Sequence, residues 1–375
     1  MIACEEFFRA LADEGGGFFA GVPDSLLKDF CAYVTDRAPA GQHVIAANEG
    51  AALALAAGHH LATGRTGIVY LQNSGLGNLI NPLLSLADPE VSAIPVLLVI
   101  GWRGEPGGTD EPQHRKQGRV TVAMLGAMEV PWAILPDDWA EARPVVARML
   151  QAARERPGPA ALLVRPGVFA PYALRAAQPE LGRMSREEAV RMILEQLEGG
   201  EIIVATTGLT SREVFEIRAA RGSGHARDFL TVGAMGHASQ IALGLALEKP
   251  ARAVWCLDGD GAALMHLGSL AINGPSGARN FRHVILNNAA HDSVGGQPTA
   301  GGAVAFPQIA AACSYRWARR VESPEELARA IGELRATEGP ALLEIRVKRG
   351  ARKNLGRPTK STGENKREFM AYVRG

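Results

Sequence analysis

Short, mainly apolar runs recur along the chain and alternate with amphipathic stretches. Runs of this kind are typical of strands buried inside a parallel sheet. They occupy residues 67–71, 96–100, 161–165, 202–205, 253–257, 283–286 and 342–347. Between them, 138–156 and 323–337 have helical periodicity, and the second begins with Ser323 as an N-cap and Pro324 in the first turn. This alternation predicts an α/β fold with doubly wound parallel sheets.

The two halves of the chain contain the same kinds of segment in the same order. A strand-like segment begins with GPA at Gly158 and again at Gly339, 181 residues later. A strand, a glycine turn and a helix start occur at 66–78 and again at 251–263, 185 residues later, and a helix of small residues precedes each of them. We therefore expect two related doubly wound parallel-sheet domains, residues 1–180 and 181–375.

Composition narrows the functional classes without identifying one. The 375 residues include 40 Lys and Arg against 39 Asp and Glu, so the net charge of +1 provides no general attraction to nucleic acid or to an anionic membrane. Hydrophobic residues make up 47% of the chain, which excludes a disordered protein. The four cysteines lie far apart, and two glutamates occur near the N-terminus where a secretory signal is basic and then apolar. We expect a cytoplasmic protein without a membrane segment.

Acidic and amide side chains follow two predicted strands in the second half. The sequence GDG at 259–261 comes after the strand at 253–257, and Asn287 and Asn288 come after the strand at 283–286. Because the carboxyl ends of parallel strands meet at one edge of a sheet, these side chains should lie close together. Asp and Asn oxygens suit Mg²⁺, and glycines let the backbone approach a phosphate. The pattern predicts a metal–diphosphate site, although such a turn taken alone is usually only a loop.

This spacing resembles the signature of thiamine-diphosphate-dependent enzymes. The resemblance implies that Mg²⁺ is bound by Asp260, Asn288 and the backbone carbonyl of Ala290. It also implies a pyrimidine-binding domain paired with a diphosphate-binding domain, in agreement with the duplicated pattern. The residues expected to contact the diphosphate are Gly259, Asp260, Gly261 and Ala262.

Two other segments resemble cofactor-binding motifs of the same family. Glu49, at the start of a small-residue helix, matches the glutamate that hydrogen-bonds the aminopyrimidine ring; otherwise it is an acid that favours a helix N-terminus. The segment 233–236 matches the stretch beneath the bent cofactor. There Gly233 would accept a hydrogen bond from the pyrimidine amino group, and Met235, beside Gly236, would separate the two rings. Taken alone, Met235 would be an ordinary core methionine.

Several segments narrow the resemblance to the phosphonopyruvate decarboxylase family. They begin at Gly21, Ile100, Met235, Asp258 and His291. The resemblance covers essentially the whole chain and implies conversion of 3-phosphonopyruvate to phosphonoacetaldehyde and CO₂ in phosphonate and antibiotic biosynthesis. Larger decarboxylases insert a middle domain, for which this chain has no room. Ala289 departs from the pattern, because we expect glycine after the paired asparagines.

Candidate catalytic and substrate-binding residues lie on predicted loops at strand ends. Asp24 and Ser25 lie in the segment GVPDS at 21–25, directly after a predicted strand that precedes the runs given above. The family has an acid near the thiazolium at this turn; a turn aspartate is the alternative. His114, in the polar loop 101–118, can supply a proton near neutral pH or can be a solvated loop residue. Basic residues in the tail 349–367, interpreted as an ordered loop, are candidates for binding a dianionic substrate. The further substrate-binding candidates are Gln113, Gln117, His291, Arg352, Lys353 and Arg357.

Two alternative functions remain open. Sulfopyruvate decarboxylase carries out the same chemistry on a sulfonate, and a non-catalytic diphosphate-binding regulatory module would retain Asp260 and Asn288 but would have no use for Glu49. The favoured interpretation has a small anionic 2-oxo acid as substrate and thiamine diphosphate with Mg²⁺ as cofactors. Because the resemblance implies a cofactor held between domains of different subunits, we also expect a homodimer or larger homo-oligomer with active sites at the subunit interface.

Overall fold

Two six-stranded parallel sheets organise the chain, one in each half. The computed structural model describes residues 1–176, 178–197 and 199–375. These residues divide into a first unit and a second unit: 1–176 with 294–297, and 178–293 with 298–375. The division expected from the sequence, after residue 180, lies near the first of these breaks.

The first unit has helices on both faces of its sheet. Its strands are β1 Gly16–Gly21, β2 His43–Ile45, β3 Thr66–Gln72, β4 Val96–Gly101, β5 Trp132–Ile134 and β6 Pro159–Val164. Its helices are α1 Cys4–Asp13, α2 Lys28–Arg37, α3 Glu49–Thr63, α4 Leu76–Pro82, α5 Pro112–Ala127 and α6 Trp139–Glu155. A 3₁₀ turn at Asn73–Gly75 and a π turn at Leu83–Ala87 flank α4. One apolar cluster includes Val99 and the other Leu98, so successive residues of β4 point into opposite faces of the core.

The second unit repeats this construction. Its main strands are β7 Ile202–Ala205, β8 Asp228–Leu230, β9 Val254–Gly259, β10 Phe281–Asn287, β11 Trp317–Val321 and β12 Ala341–Arg346. Its helices are α7 Arg186–Gln196, α8 Leu209–Ala220, α9 Ala238–Glu248, α10 Asp260–Met265, α11 Ser269–Asn273, α12 Phe306–Ala312, α13 Pro324–Ala336 and α14 Thr362–Arg374. Shorter 3₁₀ turns lie at Gly274–Ser276, Asp292–Val294 and Ala300–Gly302. Two apolar clusters again cover the two faces of the sheet.

The two sheets have the same topology. The strand order is β2–β1–β3–β4–β6–β5 in the first and β8–β7–β9–β10–β12–β11 in the second. Numbered within its own unit, each sheet therefore has the order 2-1-3-4-6-5, and the strands pair in parallel in both. The predicted fold class, two related doubly wound parallel-sheet domains, is confirmed. No helix in the described part of the chain is long and apolar enough to cross a bilayer.

The end of the chain differs from the prediction. We expected a loop as far as residue 367, but α14 begins at Thr362. Ser361 caps this helix: its Oγ accepts a hydrogen bond from the backbone N–H of Glu364 at 3.2 Å, and the Glu364 carboxylate accepts one from the N–H of Ser361 at 2.8 Å. This reciprocal pair is a capping box, and the Ser-x-x-Glu spacing that produces it is present in the sequence.

Candidate active site

Glu49 is the first residue of α3, and its carboxyl group is buried. Asn48 caps the helix by accepting a hydrogen bond from the N–H of Ala51 at 2.9 Å. The Glu49 side chain is 5% exposed, and its Oε2 accepts a hydrogen bond from Asn78 Nδ2 at 2.6 Å. A Cβ atom at Gly75 would overlap Oε1, so the carboxyl group occupies space that only glycine leaves open. Burial raises the pKa of Glu49, and the hydrogen bond from Asn78 opposes that shift.

Asp24 is a second buried carboxyl group at the same edge of the first sheet. It follows β1 and has no exposed surface. Its Oδ1 accepts a hydrogen bond from Gln72 Nε2 at 2.5 Å, and its Oδ2 accepts one from the N–H of Leu26 at 2.9 Å. Gly101, at the end of β4, must lack a side chain because a Cβ there would overlap Oδ2. Burial raises the pKa of Asp24, and the Gln72 hydrogen bond opposes the rise.

One short segment connects the surroundings of the two carboxyl groups. Gln72 ends β3 and donates to Asp24, and its Oε1 accepts a hydrogen bond from Ser74 Oγ at 2.7 Å. The next residue, Gly75, lies against the carboxyl group of Glu49. The structure thus places Asp24 and Glu49 on either side of the turn that follows β3, where ligands of open α/β sheets bind.

His114 lies on a helix and not, as predicted, in a loop. The loop 101–118 is shorter than expected, because α5 starts with Pro112 in its first turn and includes Gln113 and Gln117. Proline is favoured at this position since its missing N–H is not needed there. Among the described residues, Gln113 Oε1 and His114 Nδ1 are buried atoms without a hydrogen-bond partner. Burial lowers the pKa of His114, and the positive charge of Arg103 lowers it further.

Arg103 is a residue that the sequence analysis missed. It follows β4, and its Nη1 donates a hydrogen bond to Ser25 Oγ at 2.7 Å. Its Nε donates to Asp110 Oδ2 at 2.8 Å, and its Nη2 donates to Asp110 Oδ1. This pairing holds the pKa of Asp110 well below its usual range. The available sequence signal was an arginine in a glycine-rich turn directly after a buried strand.

Asp260 is the first residue of α10, and its carboxyl group is buried at the end of β9. It is 2% exposed, and Thr299 Oγ1 donates a hydrogen bond to its Oδ2. A Cβ at Gly301 would overlap the same oxygen, so a second glycine makes room for this group. Burial raises the pKa of Asp260 to about 6, against the hydrogen bonds from Thr299 and from the backbone of Asn288. Asp260 and Asn288, two of the three predicted metal ligands, are therefore neighbours in the second unit.

The loop after β10 orients the other predicted metal ligands. Asn288 Nδ2 donates to Asp292 Oδ2 at 2.6 Å, and Asn288 Oδ1 accepts a hydrogen bond from the N–H of Ala290 at 3.0 Å. Ala289 between them has φ of 52°, the left-handed conformation that favours glycine. Glycine is expected at this position because the backbone here is left-handed, and in this chain alanine adopts that conformation.

The segment 233–236 lies against α10. Its backbone is left-handed at Ala234, with φ of 52°, and at Gly236, with φ of 87°. A Cβ at Gly236 would lie 3.1 Å from the carbonyl oxygen of Ala262, whereas Gly233 and Met235 are only half-buried. The predicted cofactor segment and the predicted diphosphate turn therefore adjoin each other.

His291 lies beside Gly261 of the predicted diphosphate turn. A Cβ at Gly261 would be 3.1 Å from His291 Cε1. Burial lowers the pKa of His291 to about 4, so the ring is neutral at physiological pH. A neutral imidazole can donate and accept one hydrogen bond each.

The start of the basic tail contacts the loop that carries Asn288. Arg349 Nη2 donates to the carbonyl of Ala289 at 3.1 Å, and the N–H of Gly350 donates to Asp292 Oδ2 at 3.0 Å. Arg349 was not among the predicted site residues. The tail residues that contact this loop are therefore Arg349 and Gly350, which lie just before the predicted substrate-binding residues of the tail.

The selected tail residues do not gather at this loop. Arg352 Nε donates to Glu187 Oε2 at 2.9 Å, and its Nη2 forms an ion pair with Glu216. Glu187 belongs to α7 and Glu216 to α8, so Arg352 joins these helices. Lys353 and Arg357 are exposed. The structure does not bring these three basic residues together with Asp260 and Asn288.

Two family models match most of the chain. The N-terminal TPP binding domain of thiamine pyrophosphate enzymes matches residues 1–122, and the C-terminal TPP binding domain of the same enzymes matches 207–345. The first match contains Asp24 and Glu49, and the second contains Asp260 and Asn288.

The chain is also similar to curated decarboxylases over its whole length. It is 36% identical to phosphonopyruvate decarboxylase of Streptomyces viridochromogenes and 37% identical to that of Streptomyces hygroscopicus; both alignments cover 100% of this chain, with 95% and 94% of the relatives. Similarity to sulfopyruvate decarboxylase of Methanosarcina acetivorans is lower, at 26% identity over 92% of this chain and 91% of that protein.

Proposed function

Because the chain belongs to the thiamine pyrophosphate enzymes, as a decarboxylase dependent on thiamine diphosphate, we propose that its substrate is 3-phosphonopyruvate. The C1–C2 bond of this 2-oxo acid breaks, CO₂ leaves, and C2 gains a proton to become the aldehyde carbon of phosphonoacetaldehyde. The observation that carries the proposal is the full-length identity of 36% and 37% to relatives named phosphonopyruvate decarboxylase. We extend the proposal to a place in phosphonate biosynthesis.

The residues of the second unit fit a metal-bound diphosphate. Asp260 offers a buried carboxylate, Asn288 an amide oxygen and Ala290 a backbone carbonyl, and hard oxygen donors of this kind suit Mg²⁺. The overlap that a Cβ at Gly301 would cause shows how tightly the acidic group is enclosed. We propose that these three residues bind Mg²⁺, with Gly259, Gly261 and Ala262 beside the diphosphate.

The residues of the first unit fit the proton transfers of the reaction. When bound, thiamine diphosphate supplies the carbon nucleophile and accepts the electrons released with CO₂. Glu49, with its raised pKa, would hold a proton at the N1′ atom of the aminopyrimidine. Asp24 and His114 are the groups proposed to deliver the proton to C2, one as a buried acid and the other as an imidazole with an unpartnered Nδ1.

Sulfopyruvate is the alternative substrate, and one observation favours keeping it. Single-chain sulfopyruvate decarboxylase of Methanosarcina acetivorans aligns with 92% of this chain, so length alone does not separate the two activities. The non-catalytic regulatory module is not retained, because the full-length relatives are named as enzymes and Glu49 is enclosed as a catalytic acid requires.

A coupled aldehyde assay tests the proposed substrate. The purified chain is supplied with phosphonopyruvate or sulfopyruvate, each with and without thiamine diphosphate and Mg²⁺. We expect a higher kcat/KM for phosphonopyruvate, and loss of activity when the cofactor is omitted or the metal is chelated. A higher kcat/KM for sulfopyruvate would transfer the proposal to the alternative substrate.

A further inference from the structure

Arg103 is held rigidly at the edge of the first sheet. Its backbone N–H donates to Asn73 Oδ1 at 3.1 Å, and its carbonyl accepts a hydrogen bond from Asn73 Nδ2 at 2.9 Å. Its side chain is 19% exposed and is fixed by Asp110 on one side and Ser25 on the other. Because Asp110 and Ser25 already order this guanidinium group, binding an anion would cost little further side-chain entropy.

The guanidinium retains hydrogen-bonding capacity. Its three side-chain bonds, to Ser25 and twice to Asp110, use three N–H groups, whereas arginine has five. The carboxylate of Asp110 is itself shared, because it also accepts from the N–H groups of Gly104 and Glu111. Arg103 can therefore present two further N–H groups to an oxyanion while remaining bound to Asp110.

Unpartnered polar atoms lie on the helix that packs against this turn. A Cβ at Gly104 would overlap the backbone of His114, so the turn and the first residues of α5 are in close contact. Gln113 Oε1 and His114 Nδ1 are buried there without a partner among the described residues. Buried polar groups are normally hydrogen-bonded. His114 lies close enough to Arg103 for the charge of Arg103 to lower its pKa, so its unmatched nitrogen indicates a place near that cation that a polar ligand fills.

We propose that Arg103, together with Ser25, binds the oxyanion head group of the substrate. The inference rests on the proposed function and identifies the part of the site that recognises the phosphonate. A guanidinium fork matches two oxygens of a tetrahedral oxyanion, and the Ser25 hydroxyl, 2.7 Å from Nη1, adds a donor. Asp24, one of the two proposed proton donors, directly precedes Ser25 in the same turn.

This position is better suited to the head group than the tail is. Arg352 is already paired with both Glu187 and Glu216, so its charge is neutralised by two carboxylates on α7 and α8. Arg103 has one carboxylate partner and lies beside the turn that carries Asp24. We therefore assign the phosphonate to the first unit.

The test compares Arg103→Ala and Arg103→Lys with the wild-type holoenzyme. For Arg103→Ala we expect KM for phosphonopyruvate to rise about 10- to 100-fold, as for loss of a hydrogen-bonded charge pair, with a smaller rise for Arg103→Lys. Binding of phosphonoacetate, a non-reacting probe with the same head group, should weaken by a similar factor in calorimetry. Thiamine diphosphate affinity should stay within about twofold of wild type.

Two further variants separate substrate binding from loop support. Arg165→Ala removes another loop ion pair, with Glu105, and should leave KM unchanged. Asp110→Asn removes the partner of Arg103 but keeps its positive charge, so its effect on KM should be much smaller than that of Arg103→Ala. Equal effects of Asp110→Asn and Arg103→Ala would reduce Arg103 to a structural role and overturn the inference.

Failure of the inference differs from failure of the proposed function. If wild type decarboxylates phosphonopyruvate and Arg103→Ala keeps the wild-type KM and phosphonoacetate affinity, the inference is wrong and the function stands. If wild type does not decarboxylate phosphonopyruvate, the function is wrong, and phosphonoacetate or sulfopyruvate binding still shows whether Arg103 binds an oxyanion. A rise in KM for Arg352→Ala but not for Arg103→Ala would return the head group to the tail.

Discussion

Burial is the largest cause of the pKa shifts of the two carboxyl groups at the edge of the first sheet. The pKa of Glu49 and the pKa of Asp24 are both raised because the surrounding protein disfavours their charged forms. Each also accepts an amide hydrogen bond, from Asn78 or Gln72, that partly compensates. A raised pKa favours the protonated form of a carboxyl group, which is the form that a general acid needs.

Replacing Glu49 by Gln should separate binding from turnover. The glutamine has the same shape, and its Oε1 can still accept the hydrogen bond from Asn78, but it cannot take up or release a proton. We expect kcat to fall about 10²- to 10⁴-fold, the usual contribution of a positioned acid–base group, with thiamine diphosphate affinity nearly unchanged. Steady-state kinetics and calorimetric titration with the cofactor measure the two quantities.

Glu6→Gln is the matched control for this change. Glu6 is also an acid in the first turn of a helix, but it is exposed. The control should keep wild-type kcat. Near-normal turnover in Glu49→Gln would contradict the acid–base role.

The candidate residues differed in how visible they were in the sequence. Glu49, Asp260 and Asn288 lie in segments that resemble motifs of thiamine-diphosphate-dependent enzymes, so the sequence alone marked them as candidates. Thr299 and Arg103 act through contacts with residues 39 and 78 positions away in the chain, and no local pattern announces such pairs. Only the folded structure shows which distant side chain forms the hydrogen bond to a given buried polar group.

One carboxylate, that of Asp292, links the loop after β10 to other parts of the second unit. Asp292 Oδ2 accepts hydrogen bonds from Asn288 Nδ2, from Arg186 Nη1 at 3.0 Å and from the N–H of Gly350. Arg186 is itself buried and paired with Glu213. Because the amide nitrogen of Asn288 is bound to Asp292, its amide oxygen is directed away from that carboxylate, as a metal ligand needs.

Replacing Asp292 should therefore weaken metal binding. In Asp292→Leu the Asn288 amide loses its fixed orientation, and we expect the Mg²⁺ concentration needed for half-maximal thiamine diphosphate binding to rise about 10- to 100-fold. Asp292→Asn, whose side-chain oxygen can still accept from Asn288, should restore part of the affinity. Calorimetric titration with Mg²⁺ at fixed cofactor concentration provides the measurement.

Glu213→Gln is the control for the Asp292 variants. It disturbs the other partner of Arg186 without touching Asn288. An equal loss of Mg²⁺ affinity in this variant would indicate a general effect of the buried network and would contradict a specific role for Asp292.

The sequence predicted strands and helices best where burial produces a clear pattern of apolar residues. The central strands β4 and β9 are nearly all buried, so their runs of apolar residues stand out. The edge strands β2 and β8 have three residues each, too few for any periodicity to appear. The final helix α14 was missed for another reason: the basic tail was interpreted as an ordered loop as far as residue 367, although the capping box of the helix was present in the sequence.

At the scale of the whole molecule, one topology supports two tasks. Both sheets have the strand order 2-1-3-4-6-5, yet the first unit carries the buried carboxyl groups Glu49 and Asp24 and the second carries Asp260 and Asn288. A duplicated scaffold keeps the position of the strand ends, and different side chains at those ends create different chemistry. The duplication could be predicted because it leaves repeated segments at nearly constant offset.

The resemblance to thiamine-diphosphate-dependent enzymes implies a homodimer or larger homo-oligomer whose active sites are shared between subunits. This predicts complementation between two inactive variants, Glu49→Gln and Asp260→Asn. In a hybrid dimer, one site would combine both changes and the other would have neither. Hybrids purified through two different affinity tags should recover about half of the wild-type activity per dimer.

Light scattering should give at least twice the mass of the chain for each variant, which excludes dissociation as a cause of low activity. Hybrids as inactive as their parents would mean that each active site is formed within a single chain.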